Sequence, residues 1–338
     1  MMKFIFHIVS LFLVITQFNG VHASTKKIDP FEAGQIFQFS YQITVPKMPI
    51  GKKISLWVPY PIEDLHQKIL KFYVDSPFPW ELNEEQKFGN KIIYTEWLST
   101  GKIEIITYHY KIMRSPSVGV HRTTNLDGTL LDPKKYKKAS LSLPITSEIK
   151  NMANEQVKGI KSKHLKIRAI YDHTVNIMSY NKEGVGWGKG DPVWACSTKR
   201  GNCTDFHSLY IALARTQGIA ARFKIGFPLP NHLNKSNIPG YHCWAEVFDP
   251  TIGWMPLDAS EAKKSGLKSK YFGKLPSDRI LFSIGRDLIL EPPQKNGPIN
   301  YFIYPYAEVD GKKTAEIKRE LSFNRLKLFS KKHVQANK

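Results

Sequence analysis

The sequence predicts an α+β protein in which an N-terminal β-sandwich-like module precedes a domain with a helix packed on an antiparallel sheet. Three observations predict it. Phe37, Phe39, Tyr41, Ile43 and Val45 alternate with polar residues, as do Ile54, Leu56 and Val58, and again Ile106, Tyr108, Tyr110 and Ile112, which is the period of a half-buried strand. From Thr204 to Gln217, Phe206, Leu209, Tyr210, Leu213 and Ala214 recur at helical spacing, and Gly218 supplies a stop. Two extended runs, Tyr241–Asp249 and Gly253–Ala259, flank a turn signal at Pro250 and Gly253 and read as a hairpin.

The elements follow in order. The strands of residues 30–118 are separated by turn signals at Pro46–Gly51, Gly89–Asn90 and Ser99–Gly101, and form the sandwich-like module. Residues 119–144, rich in Gly, Asp, Pro and Lys, read as a linker. Helical spacing begins near Ile145 and is clear in Leu165, Ile167, Ile170, Tyr171, Val175 and Met178, so residues 145–310 are the second domain. Ile219–Phe227 reads as a strand after the Thr204–Gln217 helix. Beyond the hairpin, the lysine-rich stretch 262–275 reads as a surface loop, and Arg279–Leu290 and Asn300–Val309 as further strands. Residues 311–338 carry Ala315, Ile317 and Leu321 without a clear partner and read as a basic C-terminal tail.

Chemistry concentrates in the second domain. Cys203 stands at the N-terminus of the Thr204–Gln217 helix, where unpaired backbone N–H groups and the helix dipole favour an anion, and Lys199 and Arg200 add positive charge. A thiolate there can attack a carbonyl carbon, and the Cys203 N–H can face the developing oxyanion. Such a nucleophile needs a base and a group that orients the base. A hairpin turning about Pro250 places His242 directly across from Asp258, and puts His242, Trp244, Trp254 and Asp258 on one face with Cys243, Ala245, Val247, Met255 and Leu257 on the other.

The stretches Arg200-Gly201-Asn202-Cys203-Thr204-Asp205-Phe206, Gly240-Tyr241-His242-Cys243-Trp244-Ala245-Glu246 and Gly253-Trp254-Met255-Pro256-Leu257-Asp258-Ala259-Ser260 together resemble the transglutaminase-like superfamily, a papain-like cysteine fold. They are more similar to bacterial secreted members than to the large animal cross-linking enzymes. The resemblance covers roughly residues 160–260. It implies Cys203 as nucleophile, His242 as general base and acid, and Asp258 as the residue that orients His242.

Each residue also has a structural reading. Cys203 alone could be a small buried hydrophobe, His242 a core histidine, and Asp258 a cap for the turn at Ala259–Glu261. Asp205 and Glu246 are the fallback carboxylates, and Asp205 reads as a first-turn residue stabilised by the helix dipole. His207 lies one turn after Cys203 and reads as a supporting or core residue. Trp187, in the glycine-rich run Glu183–Asp191, and Tyr180 are candidates for the oxyanion or the substrate cleft; that run matches no phosphate-loop pattern. Pro228–Gly240 reads as another cleft wall. Cys196, Cys203, His207, His242 and Cys243 lack the close paired spacing of zinc sites, so neither metal nor cofactor is expected.

Lys3, an apolar stretch from Phe4 to Ile15 and Val21-His22-Ala23 before Ser24 read as a signal peptide, placing the mature chain in the periplasm or outside the cell, without a membrane span. In an oxidising compartment three cysteines cannot all pair; with Cys203 kept as a thiolate, Cys196 and Cys243 are left as a possible disulfide, and a Cys203–Cys243 latch is the alternative. The formal net charge of +20 favours anionic surroundings such as envelope polymers or an acidic protein substrate, while the absence of a nucleic-acid motif argues against nucleic acid. The sequence therefore predicts an exported cysteine enzyme acting on amide bonds of peptides or proteins, hydrolysis before transamidation. The competing expectation is a non-catalytic envelope scaffold that retains the fold.

Overall fold

The structure, a computed structural model, describes residues 29–118, 132–314 and 316–330. The proposed signal peptide and the first half of the 119–144 segment lie outside the described residues.

The alternating runs form strands as their period demands, at Ala33–Val45, Lys53–Pro59 and Glu104–Arg114. They belong to two five-stranded sheets. In the first the spatial order is Lys235–Asn237, Lys318–Ser330, Ala33–Val45, Glu104–Arg114, Gln67–Asp75; in the second it is Lys312–Thr314, Tyr306–Val309, Lys53–Pro59, Lys91–Leu98, Glu81–Glu84. The inward residues Phe37, Phe39, Tyr41, Ile54, Leu56, Ile106 and Tyr108 are buried between them.

Within the stretch read as a tail, Lys312–Thr314 and Lys318–Ser330 are strands of these sheets. Lys318–Ser330 pairs antiparallel along nearly the whole of Ala33–Val45, with Phe39 opposite Phe323 and Tyr41 opposite Leu321. Basic residues concealed this strand: Lys318, Arg319, Arg325 and Lys327 interrupt the run, although Leu321 and Phe323 are buried at the required two-residue spacing. The sandwich thus closes only when the chain returns to it. Tyr306–Val309 likewise belongs to the sandwich, pairing with Lys53–Pro59.

The second domain is built around the helix Cys203–Thr216, buried along almost its entire length. It packs on a four-stranded antiparallel sheet ordered Gly253–Leu257, His242–Asp249, Ala221–Pro228, Arg279–Ile284. Ser147–Gln156, Lys163–Ile177, Pro192–Thr198 and the short helix Ala259–Ser265 surround it. The last of these occupies part of the stretch read as a surface loop. Phe39 stacks on Phe227 at 5.7 Å and Phe227 meets Phe282 at 5.1 Å, so the sandwich and the four-stranded sheet share one core.

The hairpin register differs from the sequence reading. Ala245 opposes Leu257 and Phe248 opposes Trp254, two residues displaced from a turn centred on Pro250. The turn centres on Thr251 instead, where the Asp249 carboxylate accepts from the Thr251 backbone N–H at 2.8 Å and hydroxyl at 2.6 Å. A shift of two preserves the faces, so His242 and Asp258 become diagonal neighbours on one side rather than a direct pair.

Because the C-terminal strand completes the core, Phe323→Ala should lower unfolding stability by about 3–5 kcal/mol, against within about 0.5 kcal/mol for the exposed Leu326→Ala. Paired urea titrations check this; equal effects would contradict a closing role for the strand.

Candidate active site

The Cys203 position is set by backbone constraints. Asn202 caps the helix by accepting from Thr204 N–H at 2.8 Å, while Asp205 reaches back to accept from Asn202 N–H at 2.9 Å, a reciprocal capping box. Gly201 has φ +142°, and a Cβ there would lie 2.3 Å from the Asp205 carboxylate; only glycine admits this close turn. The Asp205 carboxylate also accepts from Gly188 and Gly190 N–H at 2.7 and 3.0 Å. Asp205 thus pins the glycine-rich run against the helix start and is not the orienting carboxylate of a triad.

His242 begins its strand and Asp258 ends the hairpin. His242 Nε2 lies 2.6 Å from Asp258 Oδ2. Cys203 and His242 lie near enough for each to shift the other's ionisation, and while Nε2 engages Asp258, Nδ1 lies 3.9 Å from Glu261 Oε1. The structure thus brings Cys203, His242 and Asp258 into one buried chain of contacts. Asp258 performs the capping job as well. Its Oδ1 accepts from Glu261 N–H and the Ser260 hydroxyl, both at 2.9 Å, while Oδ2 faces His242.

The electrostatics favour an ion pair. Burial alone would push the Cys203 thiol up; hydrogen bonds from Cys243 and His242 and the charge of His242 overrule it and hold the group well below its ordinary value. Burial alone would lower His242, but the Asp258 carboxylate and the sulfur raise it to about 10. Burial likewise opposes ionisation of Asp258, and the charges of His242 and Arg279 hold its carboxyl well below the usual range. A thiolate, an imidazolium and a carboxylate therefore alternate in sign along the chain.

Two residues escaped the sequence reading. Arg279 Nη1 donates to Asp258 Oδ2 at 2.7 Å, fully desolvated, and its guanidinium lies 5.6 Å from the Trp244 ring. No spacing signal marked it, because a strand-initiating arginine is ordinarily exposed. Tyr241 hydroxyl bonds Thr204 Oγ1 at 3.0 Å and receives Asn202 Nδ2 at 3.1 Å, so the residue before His242 is tied to the start of the Cys203 helix.

The remaining candidates separate clearly. His207 is wholly buried; Nε2 accepts Ala259 N–H at 3.1 Å and Nδ1 lies 2.7 Å from the Cys203 carbonyl, which fixes the hydrogen on Nδ1 and ties the nucleophile's backbone to the residue after Asp258. Glu246 is bound on both oxygens, by Arg222 Nε and Lys224 Nζ, each at 2.7 Å, a buried ion cluster rather than a partner for His242. Trp187 donates its indole N–H to Gly184 O at 3.0 Å within its own loop and so does not present it to an oxyanion. Tyr180 sits beside Phe206 and under the Lys264 ammonium, with burial and the nearby sulfur of Cys203 raising its hydroxyl.

The Cys196–Cys243 disulfide is not formed; all three cysteines are free. Cys243 points to the helix side of its strand, 3.8 Å from Thr204 Oγ1 and 3.6 Å from His207 Nδ1. Burial and the adjoining Cys203 sulfur raise its thiol well above the ordinary value, leaving it a neutral donor to the thiolate.

Residues 150–259 match the model of the transglutaminase-like superfamily, and this part of the chain is a transglutaminase-like domain. The chain is 26% identical over 334 residues to an uncharacterized protein of Haemophilus influenzae, covering 86% of this chain and 90% of that protein. It is 25% identical over 203 residues to the uncharacterized protein YebA of Bacillus subtilis, covering 55% of this chain but 25% of that longer relative. Among solved structures, a putative cysteine protease from Cytophaga hutchinsonii shares the fold with a TM-score of 0.58 at 16% identity, covering 87% of this chain and 91% of that one.

Thiolate character of this kind has a direct readout. Iodoacetamide should still label Cys203 at about pH 6, while Cys196 and Cys243, both raised, stay unlabelled. His242→Ala should move the labelling midpoint upward toward an ordinary thiol, because the charge that depresses it is gone. An unchanged pH profile in that variant would refute the ion pair.

Proposed function

We propose that this protein is a cysteine-dependent acyl-transfer enzyme that cleaves amide bonds in peptides or proteins, with Cys203, His242 and Asp258 as its catalytic triad. The observation that carries the reading is the 2.6 Å contact of His242 with Asp258 beside the buried Cys203, whose thiol His242 helps hold well below its ordinary value.

The Cys203 thiolate adds to the amide carbon, forming a C–S bond and moving charge onto the carbonyl oxygen. That oxygen falls near the first helical N–H groups, which lie outside the helix's own ladder; the Cys203 N–H is the nearest candidate donor. His242, charged at neutral pH, gives its proton to the departing nitrogen as the C–N bond breaks, leaving a thioester and a neutral imidazole. Water then attacks the thioester, His242 takes up its proton, and the carboxylic acid leaves with the thiolate restored. An amine in place of that water would give transamidation. Hydrolysis is the favoured outcome, because water reaches any acyl-enzyme that is not specifically shielded.

Asp258 holds the ring in place through both steps, and Arg279 keeps Asp258 ionised. Neither exchanges a proton.

The substrate is proposed to be an envelope peptide or protein, and the chain an exported one, on the strength of Lys3, the apolar stretch Phe4–Ile15 and the small residues before Ser24. The described helices include none long and apolar enough to cross a membrane. Amino-terminal sequencing of protein recovered from the envelope fraction should begin at Ser24; an intact Met1 would remove the argument for cleavage at this site.

Activity has its own test. Incubated with envelope peptides and followed by mass spectrometry, the protein should release new carboxyl termini, and Cys203→Ala or His242→Ala should lower kcat by about 10³-fold or more. Asp258→Asn should lose about 10²- to 10⁴-fold in kcat. Because cleavage needs the imidazolium, wild-type activity should decline as pH rises through about 10, where His242 loses its proton. Turnover that survived in Cys203→Ala would dispose of the nucleophile assignment.

A further inference from the structure

The sandwich carries a recess of about 450 Å³ on the outer face of the sheet that holds Ala33–Val45. The strand registers make it a cross-strand lattice. One row sets Lys235 beside Asn324, Asn324 beside Gln38, Gln38 beside Lys111 and Lys111 beside Lys71. In the adjacent row Asn237, Ser322, Ser40, His109 and Tyr73 follow one another across the same five strands.

The chemistry of these rows is specific. At one end Tyr73, 52% exposed, stacks on His109 with ring centroids 4.4 Å apart and an angle of 13°, and Ser40 Oγ holds His109 Nδ1 at 3.2 Å. Amides and hydroxyls occupy the middle. Lysines stand at both ends and between them, and no carboxylate is among the described residues that line the recess. Its volume is within the usual range for small-ligand sites.

We propose that this recess binds an acidic polysaccharide. A sugar ring packs its C–H face against the Tyr73–His109 pair, vicinal hydroxyls meet Gln38, Ser40, Ser322 and Asn324, and carboxylates meet Lys71, Lys111 and Lys235. A peptide is disfavoured because strand addition requires a free sheet edge, whereas this is a sheet face whose backbone groups are engaged in ladders. Single-stranded nucleic acid uses successive aromatic platforms along the strand, and the recess has one.

Its position gives the site a use. The strand Lys235–Asn237 lies within the segment 228–240, and only four residues stand between Asn237 and His242, so the two are at most about 18 Å apart along extended chain. A glycan held at this rim would keep the enzyme on an anionic polymer while the triad addresses its substrate. The binding claim itself stands apart from the catalytic reading, because none of its residues belongs to the triad.

The full chain should be titrated with polygalacturonate and hyaluronan, with dextran as a neutral control and poly-glutamate and single-stranded DNA as other polyanions, at physiological salt. The expected result is saturable binding to a carboxylated glycan, none to dextran, and weaker binding to the other polyanions. Tyr73→Ala and Lys111→Glu should each weaken glycan binding by roughly tenfold, with thermal stability and Cys203 alkylation unchanged. Failure to bind either glycan, equal affinity for poly-glutamate or DNA, or full binding in stable forms of both variants would overturn the proposal.

Discussion

The site depends on one carboxylate doing two jobs with two oxygens. Asp258 Oδ1 caps the helix Ala259–Ser265 and Oδ2 receives His242 and Arg279. A buried carboxylate is costly unless its lone pairs are met by donors and its charge by cations. Here the cap anchors the group, so the oxygen facing His242 has a fixed direction. His207 closes the arrangement from the other side, linking the Cys203 carbonyl to the Ala259 N–H. Cys203, His242 and Asp258 stand at the starts of three elements, and a few hydrogen bonds fix the relative positions of those elements.

The same economy appears in how the chain closes. The final described strand pairs with the first, and the sandwich core runs without interruption into the four-stranded sheet through Phe39, Phe227 and Phe282. Aromatic residues bury much surface with few rotatable bonds, and their edge-to-face and offset contacts are directional. The two modules are consequently parts of one hydrophobic unit rather than beads on a linker. Arg279, which holds Asp258, begins a strand whose later residue Phe282 is buried in that core while Leu281 packs on the other face with Trp244.

Much of this was legible in the sequence, and the failures have physical causes. Alternation located the sandwich strands, and helical periodicity located the helix behind Cys203, because both elements bury one consistent face. The hairpin register was misplaced by two residues, since Pro250 is a conspicuous turn former while the Asp249 side chain sets the actual turn at Thr251. Parity saved the inference: an even slip leaves every side chain on its face. The C-terminal strand was hidden because Arg319 and Arg325 take the positions on either side of Leu321 and Phe323 on the buried face, opposite Ile43 and Phe37, so only two apolar residues mark the period. Arg279 was not legible at all. Its role comes from a tertiary contact with a carboxylate 21 positions away, and no local period encodes that.

Asp258 also shows why structural and functional readings of a residue need not compete. The capping role and the His242 contact use different oxygens, so the first supports the second. Cys243 extends the point. Strand alternation turns it away from His242, toward the helix, yet both residues lower the Cys203 thiol. A neutral thiol on one side and an imidazolium on the other can then stabilise a thiolate that burial alone would forbid. The disulfide arithmetic failed on this ground: Cys243 is held beside the nucleophile by the pleat of its own strand, with His207 and Thr204 as its other polar neighbours.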